Sequence, residues 1–158
     1  MHSHNRFDRP ALYKALDKQR AALSLTWAQV ARQIGIATGT LTATAKPGLM
    51  ETDGMLAIVR WLGCAPERFI HSSDGMPVPE PPPATDFRRL DTNALHAALD
   101  RKRRSRDLSW KELAEELGPQ FNASMLTRLE KGGRIGVHLL VSAAGWLNQH
   151  VNNFTRPG

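Results

Sequence analysis

One pattern of ten residues is written twice in this chain, and that limits what it can fold into. Residues 26–35 read TWAQVARQIG and residues 109–118 read SWKELAEELG, the same order of residue kinds 83 positions apart. The offset holds well beyond these windows. It matches Ala11 with Ala94, Leu12 with Leu95, Leu16 with Leu99, Asp17 with Asp100, Arg20 with Arg103, Leu25 with Leu108, Trp27 with Trp110 and Ala31 with Ala114. Past Gly118 the match continues at an offset of 85, pairing Leu41 with Leu126, Thr42 with Thr127, Lys46 with Lys131 and Trp61 with Trp146. An internal repeat of this kind means that one structural unit is built twice.

Between the copies lies SSDGMPVPEPPPAT, residues 72–85, with five prolines and no helical period. Such a segment is expected to be an extended linker outside any core, and at ~3.1 Å per residue it spans up to roughly 40 Å. Charge follows the same division. Residues 1–71 carry nine Lys and Arg against five Asp and Glu, residues 86–158 carry twelve against eight, and the linker holds only Asp74 and Glu80. Two basic bodies flank an acidic spacer, and the net charge of +6 makes a polyanion a plausible partner.

Within each copy the apolar period is helical, with no alternating run that argues for strands. Leu12, Leu16 and Leu23 mark a first amphipathic helix. Thr26 with Gln29, and Ser109 with Glu112, form capping boxes that start a second. Trp27, Val30, Ala31 and Ile34 then give one stripe at i, i+3, i+4 and i+7, as do Trp110, Leu113, Ala114 and Leu117. Gly35 and Gly118 are expected to end these helices in the left-handed conformation. A short third helix follows at 38–45 and 123–131, and a fourth at 53–62 and 137–147. The fold class is all-α.

A capped helix, a glycine turn and a short helix form the helix-turn-helix arrangement, whose second helix can enter the major groove of DNA. The signatures LSWKELAEELG and NASMLTRLEKGGR resemble the Cro/repressor-type (XRE) helix-turn-helix family. The resemblance covers residues 10–70 and 90–150, and is closer in the second copy than in the first. It implies two tandem four- to five-helix domains, 8–71 and 88–154, joined by a linker at 72–87. It also implies that the third helix of each copy reads bases. The groove-facing residues are then Thr38, Gly39, Thr42, Ala43 and Lys46 in copy one. In copy two they are Ala123, Ser124, Thr127, Arg128 and Lys131, with Asn122 capping the helix. Arg128 is suited to the O6 and N7 of guanine, and the threonines of copy one to thymine methyls or backbone.

The resemblance further implies phosphate contacts from Arg20, Trp27, Arg103, Trp110, Lys111 and Arg134. It pairs Arg103 with Glu130 and leaves Arg20, opposite Ala45, without that partner. Copy two departs from the pattern in two extra residues near Pro119 and Gln120, and copy one has Ala37 where Asn122 caps. Trp61 and Trp146 read as core. The run Arg101–Arg106 serves either phosphates or the carboxyl end of its own helix.

The implied function is a sequence-specific double-stranded DNA-binding transcriptional regulator, a repressor working as a pseudo-dimer. The competing reading is an adaptor or antitoxin-like module in which copy one holds a protein. Self-association of the chain is compatible with both. No nucleophile elbow or Gly-rich phosphate loop points to an enzyme, and the six histidines show no metal-ligand spacing, so neither metal nor cofactor is expected. A single cysteine, Cys64, and the lack of an apolar leader or long apolar run point to a soluble, cytoplasmic protein without a membrane role, and the DNA-binding reading adds association with the nucleoid.

Overall fold

Capping chemistry sets the helix starts in both copies. The computed structural model describes residues 5–46, 50–72, 74–75, 78–132 and 134–158. A short strand β1 (Arg6–Phe7) leads into α1 (Arg9–Ala22), whose first turn is held by Asp8 accepting from the Ala11 amide at 3.0 Å. Helix α2 (Trp27–Ile34) begins at a closed capping box. The Gln29 amide donates to Thr26 Oγ1 at 3.1 Å, and the Thr26 amide donates to Gln29 Oε1 at 2.8 Å. Gly35 ends α2 in the left-handed region at φ 91°, ψ 28°. The short α3 (Thr38–Thr42) runs on into a 3-10 turn over Ala43–Ala45, and α4 (Thr52–Leu62) and β2 (Ile70–His71) complete the half.

The second copy repeats this order as β3 (Arg88–Leu90), α5 (Thr92–Ser105), α6 (Trp110–Leu117), α7 (Ala123–Thr127) with its 3-10 extension over Arg128–Lys131, α8 (Val137–Leu147) and β4 (Thr155–Pro157). Asp91 and Ser109 cap α5 and α6 as Asp8 and Thr26 cap α1 and α2. The protein is mostly helical, as the apolar period predicts.

Three local expectations need correction. Leu23 is not on the buried stripe: α1 stops at Ala22, so Leu23 caps its end and is 54% exposed. Gly118 has positive φ but is not left-handed helical, with φ 145° and ψ 161°, because the two extra residues route the chain outward before Phe121 turns back into the core. The fold is also not purely helical. The ends of each copy meet as antiparallel pairs, β1 with β2 and β3 with β4. Strands of two or three residues are too short to show alternation, and what creates them is the non-local meeting of the ends.

Packing joins the copies. Leu12, Leu16, Leu41, Met55 and Ile58 from the first and Leu95, Leu99, Leu126, Leu129 and Leu140 from the second are fully buried members of one continuous hydrophobic cluster. The contacts between the copies are reciprocal: β1 lies on α8 while β3 lies on α4, and α4 packs against α8. At the centre Glu51 and Gly136 form an antiparallel bridge. The Thr52 amide donates to the Ile135 carbonyl at 3.0 Å, and the Val137 amide donates to the Met50 carbonyl at 2.7 Å. These residues are equivalent at the offset of 85, so the two bonds are exchanged by a local two-fold axis within one chain, the isologous geometry of a symmetric dimer.

The described residues of the Pro-rich stretch form neither helix nor strand, but they do not stand clear of the core. Val78 is half-buried against it, and Glu80 accepts from Arg68 Nε at 3.0 Å.

Candidate nucleic-acid interface

The site begins with what holds the third helices. Leu41 beneath α3, and Leu126 and Leu129 beneath α7 and its extension, are buried to the last few per cent. Thr44 is buried too, its hydroxyl donating to the Leu41 carbonyl at 2.7 Å. With one side anchored, the other faces solvent. Thr38, Gly39 and Lys46 are exposed and Thr42 and Ala43 half-exposed. In the second copy Asn122, Ser124, Thr127, Arg128 and Lys131 are exposed and Ala123 is half-exposed.

The two segments differ in how they start. Asn122 Oδ1 accepts from the Met125 amide at 3.0 Å, whereas Ala37 offers α3 no side-chain cap. Both threonines turn inward: Thr42 Oγ1 donates to the Thr38 carbonyl at 3.2 Å, and Thr127 Oγ1 to the Ser124 carbonyl at 3.3 Å.

Behind each segment sits a matched arginine–tryptophan stack. Arg103 pairs with Asp100 at 2.5 Å, donates to the Leu108 carbonyl at 2.9 Å and lies 4.6 Å from the centre of the Trp110 ring. Arg20 repeats this with Asp17 at 2.6 Å, the Leu25 carbonyl at 2.9 Å and Trp27 at 4.9 Å. Each indole also stacks on a ring of the first helix of its copy, Trp27 on Tyr13 at 5.5 Å and Trp110 on His96 at 5.0 Å. The Arg103–Glu130 pair implied by family resemblance is therefore replaced by a pair within one helix. Asp100 stands three residues before Arg103 on the same face, so no long side chain need cross to the third helix. Arg20 likewise has a partner after all. Arg103 holds the Asp100 carboxyl below the usual carboxylate range, Arg104 adding to the effect.

Trp61 and Trp146 also occupy matched settings. The Trp146 indole donates to Glu116 at 3.0 Å and the Trp61 indole to Gln33 at 2.9 Å. Lys102 reaches the Trp146 carbonyl, and Gln19 reaches the Trp61 carbonyl at 3.2 Å. Copy two is the charged version, with Arg106 paired to Glu116 at 2.8 Å and Lys102 lying 4.5 Å from the Trp146 ring. Burial pushes the Lys102 ammonium down, and Arg106 adds to it. Much of the basic run at 101–106 is thus engaged within the protein. Arg104 joins the same Asp100, at 3.2 Å.

Lys111 is exposed, and Arg134, 83% exposed, stands 3.6 Å from Glu51. Sequence reasoning missed two further basic features. Arg9 donates to the Ala43 carbonyl, tying α1 to the extension of α3. Arg89 and Arg156 sit opposite each other across β3 and β4 and line a cavity of about 510 Å³ with Thr92 and Gly132, at the end of the α7 segment. Only the strand pairing, which no local pattern announces, brings these arginines together. Among the described residues no cluster of His, Cys, Asp or Glu suits a metal, and no helix is long and apolar enough to cross a membrane.

The assembly presents two polar, partly cationic short helices, one from each half, on a frame with a local two-fold axis. No family model matches the chain, and no curated protein or solved structure is significantly similar to it.

Proposed function

We propose that the chain is a sequence-specific double-stranded DNA-binding regulator, a repressor associated with the nucleoid, in which two Cro/repressor-like helix-turn-helix units form an intramolecular pseudo-dimer. The observation that carries this reading is the reciprocal pair of hydrogen bonds between Thr52 and Ile135 and between Val137 and Met50. A local two-fold axis in the protein suits the pseudo-two-fold axis of a duplex, which relates one half-site to the other. Lys46 and Lys131, at the ends of the exposed segments, each precede a bridge residue, Glu51 or Gly136, by five positions. At no more than ~3.6 Å per residue, those ends lie at most about 40 Å apart. One helical turn of DNA, about 34–36 Å, fits within that limit. The bridge, rather than the reach of the Pro-rich stretch, then governs the spacing.

Binding to a mixed-sequence duplex between about 50 and 200 mM salt tests the reading, because Lys and Arg displace condensed counterions. Affinity is expected to fall by at least about tenfold over that range. A flat response defeats the proposal.

A second reading has one observation in its favour. A cavity of about 370 Å³ beside α3 is lined mostly by small or apolar groups, Gly39, Ala43, Met50, Gly54 and Ile58 among them, together with the charged Arg9 and Glu51, a mixed lining that suits a protein segment. In this adaptor or antitoxin-like reading, copy one holds a protein while copy two keeps the DNA.

A further inference from the structure

Divergence between the copies is not spread evenly. The parts that hold the third helices are retained: both capping boxes, both arginine–tryptophan stacks, both tryptophan N–H bonds and the buried Leu41 and Leu126. On the exposed faces Thr42 matches Thr127 and Lys46 matches Lys131. The remaining positions changed in kind: Thr38 stands opposite Ala123, Gly39 opposite Ser124, and Ala43 opposite Arg128. A homodimer cannot do this, since one gene writes both of its reading helices, whereas a duplicated chain can alter one helix and leave the frame intact.

From this we infer that the chain recognises an asymmetric operator, two unlike half-sites at symmetric spacing, and therefore binds DNA in one orientation only. This rests on the duplex-binding reading above. The half-site under α7 contains a guanine, because the planar fork of Arg128 matches its O6 and N7 and no other base edge offers two acceptors in that geometry. The half-site under α3 is A·T-rich. Its face of Thr38, Gly39, Thr42 and Ala43 offers methyl groups and close approach to thymine methyls, with no fork for guanine. Lys46 and Lys131 are the same in both copies and so do not distinguish the halves.

The test selects bound duplexes from a random pool with the full chain, then compares three of equal spacing: the selected site and the two inverted repeats made by doubling either half. The selected site is expected to be asymmetric and to bind about tenfold or more tightly than either repeat. Arg128→Ala should relax preference in the guanine half alone, and Arg128→Lys should not restore it, since the fork rather than the charge does the reading. The pair Gly39→Ser with Ala43→Arg should move preference toward the inverted repeat of the guanine half. A Cβ at Gly39 meets nothing within 4 Å, whereas Ala43 is half-buried and its carbonyl accepts from Arg9, so circular dichroism checks that the paired change keeps the fold. A palindromic selected site, or an inverted repeat bound as tightly as that site, overturns the inference while leaving DNA binding intact. No enrichment of any duplex overturns both.

Discussion

Glu51 and Gly136, equivalent positions of the two copies, bridge to each other in antiparallel register. A bridge between equivalent residues exists only where a two-fold axis passes, so the halves are related as the subunits of a symmetric dimer are. Each also lends its first strand to the other's fourth helix. This mutual support predicts that neither half unfolds alone. Calorimetry of the full chain should give a single transition whose calorimetric and van't Hoff enthalpies agree. Thr52→Ala, which removes the hydroxyl donating to the Ile135 carbonyl at 2.9 Å, should lower stability by about 1 kcal/mol without splitting that transition. Two resolved transitions would show that the bridge does not couple the copies.

Glu67 supplies a second contact between the halves, and one that depends on pH. Its Oε2 accepts from the Val151 amide at 3.1 Å, while Oε1 is buried without a partner. Burial pushes the carboxyl above its ordinary 4.5, against the pull of the hydrogen bonds from Val151 and from its own amide. A raised folded-state value means that the group stabilises the fold at pH below 4.5 and that this contribution is lost as pH climbs through the folded value. Glu67→Gln should therefore flatten the decline in urea midpoint that the natural chain shows above pH 4.5. Glu67→Ala should cost about 1–3 kcal/mol by stranding the Val151 amide. Identical pH profiles for the natural chain and Glu67→Gln would remove Glu67 from the titration.

Where the sequence was legible, the signal was local. Thr26 with Gln29 and Ser109 with Glu112 mark helix starts within three residues, and the apolar stripes of α2 and α6 recur at the helical period over about two turns. The repeat itself marked out the exposed segments at Thr38 and Ala123. What escaped was non-local. The strand pairs depend on contacts between chain ends, as in Arg6 opposite His71 and Arg89 opposite Arg156, and a two- or three-residue strand has no pattern of its own. The Arg103–Asp100 pair was readable in principle, since i and i+3 share a helix face. The family resemblance points instead to the more distant Glu130. Gly118 shows how an insertion defeats a motif: the glycine is kept, but its backbone angles answer to Pro119 and Gln120 rather than to the helix end.

Leu126 ties fold to site most directly. It is fully buried beneath α7 while its neighbours Ser124, Thr127 and Arg128 face solvent. Leu126→Ala should cost about 2–5 kcal/mol, the spread depending on how far the cavity collapses. A helix of five residues has little stability of its own, so this loss should free α7 before the rest of the half opens. Hydrogen exchange should accordingly speed up first at 123–131. Uniform acceleration across both copies would mean that α7 is no more independent than the core.

Arg89 and Arg156 supply the last prediction, because like charges directly opposite on a two-stranded ladder are unfavourable unless an anion joins them. Asp53 and Asp91 line the same cavity, but each accepts from a backbone amide, Asp53 from Leu90 at 2.9 Å and Asp91 from Ala94 at 3.0 Å, and neither forms an ion pair with these arginines among the described residues. Under the duplex-binding reading, both guanidinium groups meet backbone phosphates beside the α7 segment. Replacing both by alanine should then reduce the slope of log affinity against log salt by about 2, close to 0.9 per phosphate contact. Sequence preference should be unaltered, since phosphates carry no base identity. Thermal stability at low salt should hold or rise slightly as the repulsion is relieved. An unchanged salt slope would assign the arginines to solvent alone, and a changed base preference would move them from phosphate to groove.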